Sequence, residues 1–426
     1  MKLVGTFLLL FIITTSLTSV AQEEEEFIAD YIESLLEDND VTFDYNTLLE
    51  DFKKFADDPI DLNSATIEEL EQLQILSAQQ IWEIKFYRET YGPFVSLYEL
   101  KGLQTFDQRL IAFLLPYVTI EQQEKKQTSL KNMFAYGKDQ VFVRYQRILQ
   151  EKQGYKSDDN IDSLRDANKR YYGNPDKVYL RYKHHYKTNL SFGVTAEKDA
   201  GEELFGETQK NGFDYYSAHA FIKDIGKIKY AALGDYQVNI GQGLTIWSGF
   251  SFGKGPDVLN IKKAEKIIKP YTSVNENEFL RGGALTLQLN NVEVTGFGSY
   301  KNVDANVTVV DTLTDDLQAV SSFQDSGMHR TRNELEDRKA IEQTIVGGNI
   351  AYRQKNVSLG ITAMHTAFGA ELNRQDQLYN QFQFEGDQTT NFGINYSYIW
   401  RNLHFFGETA TGIDQGIATL NGVLIQ

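Results

Sequence analysis

The densest run of residues able to do chemistry is Gly234-Asp235-Tyr236-Gln237, then Gly241-Gln242-Gly243-Leu244, Trp247 and the stretch 249–256. Asn275-Glu276-Asn277-Glu278-Phe279 and Arg281-Gly282-Gly283 follow. Asp235, Glu278 and Arg281 can meet as a charge cluster, which either tethers a loop or supplies carboxylates to a surface hydrolase. A phosphate-loop reading of 249–255 fails: its glycine spacing is one short and no Ser or Thr follows Lys254. His184 and His185 are neighbours on a strand, point to opposite faces and cannot chelate together. His219, His329, His365 and His404 are scattered and lack carboxylates at ligand spacing. There is no G-x-S-x-G elbow, no H-E-x-x-H helix and no cysteine. No catalytic residue, cofactor or metal site is therefore expected, and the glycines read as places where a loop folds inward. Lys262, Lys263, Lys266 and Lys269 read as a solvated loop rather than a site for anionic sugars or headgroups.

The elements that would position these residues are strands. Very short turns fall at Thr188, Asp224-Ile225-Gly226, Asn290-Asn291, Lys355-Asn356 and Arg401-Asn402, and they alternate with long polar excursions over 150–176, 198–213, 248–279, 303–344 and 366–390. The flanking segments alternate apolar and polar residues. Val178, Leu180, Tyr182 and Tyr186 share one face; Arg181, Lys183, His185 and Lys187 share the other. In a soluble sandwich the polar face meets bulk water, whereas in a barrel it lines the lumen and the apolar face meets lipid. Tight turns at one end with long loops at the other favour the barrel.

Composition bounds the setting. Lys2 and the apolar stretch 4–13 lead to Ser19-Val20-Ala21, an export signal of about 21 residues with Gln22 next. No apolar run is long enough for a helical span. With no cysteine there are no disulfides or thiolate ligands, and a net charge of −17 argues against binding phosphate backbones broadly. The 24 Tyr and 27 Phe suit aromatic girdles at two membrane interfaces.

Residues 59–120 carry helix punctuation. Thr66/Glu69, Ser77/Gln80, Ser96/Glu99 and Thr105/Gln108 each have capping-box spacing, and Tyr91-Gly92-Pro93 stops a helix. Ile67, Leu70, Leu73, Ile81, Ile84, Phe94, Leu97, Leu100, Leu110, Ile111 and Leu114 would close one small core. The order Asp61-Leu62-Asn63-Ser64-Ala65-Thr66, Tyr87-Arg88-Glu89, Tyr91-Gly92-Pro93-Phe94, Leu100-Lys101-Gly102-Leu103 and Pro116-Tyr117-Val118 resembles the tandem helix-hairpin-helix module of ComEA-like competence DNA receptors. With the glycine-rich constellation after 234, most of the chain is similar to exported Bacteroidetes helix-hairpin-helix proteins with a barrel-like C-terminal part. The resemblance implies a phosphate or partner contact at the two hairpins, on Ile75, Leu76, Ser77, Gly102, Leu103, Gln104 and Thr105. The chain departs from that family in the first hairpin, which has no glycine, and 57–120 holds four basic against ten acidic residues.

The expected fold is α+β and multidomain. A signal peptide (1–21), an acidic helical lead-in (22–58), a helix-hairpin-helix domain (59–120) and a linker (121–130) precede an antiparallel outer-membrane-type β-barrel (131–426) of about twelve strands. The last strand lacks a terminal aromatic, so the barrel is read as incomplete. The expected function is a non-enzymatic outer-membrane protein whose periplasmic helical domain plugs the lumen or docks an envelope protein partner. The alternatives are an envelope DNA-uptake protein, disfavoured by acidity, and a surface hydrolase.

Overall fold

Hydroxyl-to-amide caps set the first unit. Thr66 and Glu69 cap each other ahead of α1 (Ile67–Glu71), and Ser77 and Gln80 do so ahead of α2 (Ala78–Thr90). Ser96 and Glu99 open a 3₁₀ turn, Leu97–Gly102. Gly92, with φ +96°, takes the left-handed turn that ends α2. The fourth box does not form: Asp107 caps α3 (Gln108–Leu114) instead. Thr105 is held elsewhere, its N–H donating to the Glu83 carboxylate at 3.1 Å and its carbonyl accepting from the Gln80 amide at 3.2 Å. A two-residue parallel pair, β1 (Ile60–Asp61) with β2 (Val118–Thr119), ties the two ends of the unit together.

The computed structural model describes residues 55–56, 58–71, 73, 76–121, 129–156, 168–249, 261–311, 316–374, 378, 383–413 and 416–425. The expected export signal, nearly all of the acidic lead-in, most of the linker, Ile75 and the run 250–255 lie outside the described residues. The chain divides into two units, one of residues 1–123 with 250–263 and one of 124–249 with 264–426. In the first, eight of the expected core residues are buried, from Leu70 and Leu73 to Ile111 and Leu114, while Ile67, Leu97 and Leu110 pack at the edge. Leu62, Phe106, Phe113 and Tyr117 complete that core. Lys262, read from sequence as a solvated loop residue, is ion-paired with Glu71 inside this unit.

The second unit begins with α4 (Leu130–Ala135) and is otherwise a sheet of fifteen strands. Its main path runs β3 (Lys138–Arg147), β4 (Asp176–Tyr186), β5 (Leu190–Lys198), β6 (Tyr215–Ile225), β7 (Ile228–Asn239), β9 (Leu280–Leu289), β10 (Val292–Val303), β13 (Ile341–Gln354), β14 (Val357–Leu372), β15 (Gly386–Trp400), β16 (Leu403–Gly412) and β17 (Ile417–Ile425). Every neighbour on this path is antiparallel. The five short turns stand where the alternation puts them, four of them with a residue at positive φ: Lys187, Asp224 with Gly226, Asn290 and Arg401. The long excursions carry structure of their own. β8 (Lys266–Pro270) pairs with the end of β7, and β11 (Ala305–Asp311) pairs with β12 (Asp316–Phe323), which touches β14 in parallel. A one-turn helix, α5 (Arg332–Glu336), follows, capped by Thr331 and Glu334. The last excursion shrinks to 373–385 because the β13–β14 ladder continues to Phe368.

The sheet is open. β3 and β17 have one neighbour each, so a closed barrel is not formed among the described residues. Both end strands are exposed along most of their length, as edges without a second partner must be.

Candidate functional site

The two faces of the sheet are inverted relative to a water-soluble protein. On β14, Ile361 is 64% exposed and the next residue, Thr362, 1%. On β9, Leu285 is 41% exposed and Thr286 is fully buried. The same holds for Val194 beside Thr195, Val294 beside Glu293 and Thr295, Ile350 beside Asn349, and Ile394 beside Asn395. Arg181, Lys183 and His185, expected on one face of β4, are buried, and Tyr182 between them is exposed.

A strap formed by 240–249 covers part of the polar face. Gly241 and Gly243 adopt φ of +61° and +83°, which bends the chain back after β7 and turns the N–H groups of Gln242, Leu244 and Thr245 to one side. Those groups converge on the Glu408 carboxylate of β16. Gln242 N–H donates at 2.6 Å, Leu244 N–H at 3.1 Å, Thr245 N–H at 2.9 Å and the Thr245 hydroxyl at 2.7 Å. Glu408 is 2% exposed, so a buried carboxylate is neutralised by a nest of donors more than 160 positions earlier in the chain. Gly393 on β15 is required beneath it, since a Cβ there would lie 1.9 Å from the Thr245 hydroxyl. Ile240 and Ile246 of the strap join Phe221, Tyr236, Val238, Ile267, Ile268, Leu280 and Phe297 in an apolar cluster.

Of the expected charge cluster, the structure joins two members. Arg281 donates from Nε and Nη2 to the two oxygens of Asp235, at 2.7 and 2.8 Å. The pair sits directly across the β7–β9 ladder. Glu278 takes part only through its backbone, its carbonyl accepting from Gln237 at 2.9 Å. Burial and the nearby Asp325 raise its carboxyl above the usual range. A second network was not foreseen: Arg353 bridges Glu265 at 2.8 Å and Glu293 at 3.1 Å, and Lys229 pairs with Glu293.

His329, which has no carboxylate at ligand spacing in the sequence, meets two in the fold. Its Nδ1 lies 2.5 Å from Asp214 and its Nε2 2.7 Å from Asp304. Its N–H donates to Glu202 at 2.9 Å, and Arg338 braces the other oxygen of Asp214 at 2.9 Å. Glu202, Asp214, Asp304 and His329 are all buried. They come from two long excursions, 199–214 and 304–340, and Glu276 of a third, 271–279, stands near them. Burial alone would lower the His329 imidazole, but hydrogen bonds and charge from Asp214 and Asp304 outweigh it and raise it to about 10. Burial, reinforced by neighbouring carboxylates, pushes Glu202 up to about 7 and Glu276 up to about 8. The partners of His329 are 115 and 25 positions away, so no local spacing could reveal them. The one sequence signal was Thr331 with Glu334, a capping box inside a loop.

In the helical unit, the expected hairpin contacts are spread over two turns. Leu76 and Ser77 are buried, the latter as the α2 cap, and Gly102 and Gln104 are exposed. Leu103 closes the 3₁₀ turn, and the Thr105 N–H is already taken by Glu83, itself 3% exposed. Arg88 is also engaged, donating to the Leu62 and Ala65 carbonyls at 2.8 Å each.

No family model and no curated protein matches the chain. Among solved structures it aligns with the anion-selective porin from Comamonas acidovorans at 11% identity and a TM-score of 0.26, over 58% of this chain and 62% of the porin. It also aligns with OmpTdeltaL8, a loop L8 deletion mutant of OmpT, an outer membrane protein of Vibrio cholerae, at 9% identity and a TM-score of 0.19, over 58% of this chain and 88% of that one. The chain thus spans less than two thirds of the first porin's length. Likeness at this level identifies neither fold nor function.

Proposed function

We propose that the sheet unit is the wall of an outer-membrane β-barrel and that the protein acts there without catalysis. The inverted sheet carries this reading. Each outward Leu, Ile or Val gains roughly 1.5–3 kcal/mol on leaving water. Monomeric soluble proteins rarely leave apolar patches above a few hundred Å² exposed. An apolar outer face with polar and charged residues on the inner one is what acyl chains outside and an aqueous or plugged interior select. The free edges of β3 and β17 would then have to be covered by further strands or another chain, because open edges are not tolerated in hydrocarbon.

The strap belongs to the same reading: it narrows the interior, and Glu408 fixes it to the far wall. The short turns would face the periplasm and the long excursions the outside. The helical unit, resembling a tandem helix-hairpin-helix module, would be periplasmic and serve as plug or partner-docking module. Nucleic-acid binding is the weaker reading, because a carboxylate, Glu83, occupies the N–H of Thr105 where a phosphate would approach.

The test is fractionation with gel mobility. The protein should be recovered from the outer-membrane fraction and migrate, unboiled in mild detergent, as a compact band that shifts on heating. Recovery as a detergent-free periplasmic monomer would overturn the reading.

A further inference from the structure

We infer that Glu202, Asp214 and His329 form a binding site for one divalent transition-metal ion, of the zinc, cobalt or manganese class, in the long excursions of the sheet unit. One ligand atom from each lies within 4.8 Å of the others, and all three residues are buried. Bonds of about 2.0–2.2 Å hold ligand atoms roughly 3 Å apart, so the ion would draw Glu202 in and part Nδ1 from the Asp214 oxygen, now 2.5 Å away.

The surroundings are those of ligands held in advance. A metal-bound histidine commonly gives its second ring N–H to a carboxylate. His329 Nε2 is 2.7 Å from Asp304, which is itself held by the Lys339 N–H at 2.7 Å. Asp214 is oriented by the Gln209 amide at 2.8 Å and by Arg338, and Glu202 by the N–H groups of Asp199 and His329. Glu276, from the excursion before β9, adds a further acidic group beside His329, Asp214, Asp304 and Glu202. Lys301 turns its ammonium to the Glu276 and Asn277 carbonyls, and Arg330 is occupied by Glu334. An imidazole with carboxylates selects a borderline transition ion over calcium or magnesium, which prefer oxygen ligands alone.

Binding is balanced in protons: the ion takes the Nδ1 lone pair, and any proton held on Nδ1 or on a ligating carboxyl goes to solvent. This inference does not depend on the membrane reading. The test is calorimetric titration of the full, chelator-stripped chain with Co²⁺, Zn²⁺ and Ca²⁺ in buffers of different ionisation enthalpy. One equivalent of Co²⁺ should bind with visible absorption, release protons and be displaced by Zn²⁺. Glu202→Gln and Asp214→Asn should each weaken binding, and Asp304→Asn should weaken it roughly 10–100-fold. Because His329→Ala can disturb the loops, the decisive comparison is wild type against Glu202→Gln, with unchanged far-UV spectra. No stoichiometric Co²⁺ or Zn²⁺ binding, binding unaffected by both carboxylate variants, or a preference for Ca²⁺ would overturn the inference.

Discussion

Glu408 shows how one side chain can fix a loop across a sheet. Four donors meet its carboxylate, and hydrogen bonds to a charged group are worth roughly 1.5–3 kcal/mol each. Glu408→Gln keeps the shape but sets an amide against N–H donors. The Gln242, Leu244 and Thr245 amides should then exchange with deuterium at least about ten-fold faster than in wild type, since about 1.4 kcal/mol is a factor of ten. Unchanged protection would mean that the apolar cluster around Ile240 and Ile246, and not the carboxylate, holds the strap. Asp235 is a comparable case. Its carboxylate is 1% exposed and depends on Arg281. Arg281→Ala leaves a buried charge unpaired and should cost roughly 3–5 kcal/mol in urea unfolding in detergent. Asp235→Asn together with Arg281→Ala should recover part of that loss.

At the scale of elements, what was legible in the sequence was what is local. The short turns, the period-two alternation from β4 onward and three of the four capping boxes are written within a few residues of where they act. The fourth box failed because Thr105 answers to Glu83, 22 positions earlier. The strap, β8, and the β11–β12 pair were missed for the same reason: partners brought in by the sheet decide them. Asp235 and Arg281 were legible as a pair of charges, but Glu278 was not separable from them, since strand register decides which side chain crosses the ladder. His329 was not singled out because one partner, Asp214, comes from another excursion and the other, Asp304, stands 25 positions earlier in its own.

The helix α5 offers an element-scale check by pH. Glu334, although partly buried, is held below the usual carboxylate value of 4.5 by hydrogen bonds and charge from Arg330. A lowered folded-state value contributes stability above pH 4.5 that is lost as pH falls through the folded value. Amide protection in 331–337, taken relative to the intrinsic exchange rate at each pH, should therefore fall below about pH 4.5 and stay flat above it, and Glu334→Gln should remove the dependence. For the helical unit, the occupied Thr105 N–H and the acid excess predict no shift of duplex DNA by the full chain at low salt. A salt-sensitive complex would restore the competence-receptor reading.

At the scale of the molecule, everything turns on which solvent meets the outward side chains. The proposed reading takes the outer face out of water, because the same sheet in solution would bury its charges and expose its Ile and Leu. The chain has no cysteine, so single cysteines can report on each face without background. Leu285→Cys, Ile361→Cys and Ile394→Cys would be compared with Thr286→Cys and Thr362→Cys. After reconstitution into lipid vesicles, each would carry a nitroxide, and collision with oxygen would be measured against a polar nickel chelate. The three outward positions should be open to oxygen and closed to the chelate, and the two inward positions should not show that lipid signature. Free access of the chelate to positions 285, 361 and 394 would contradict a lipid-facing sheet.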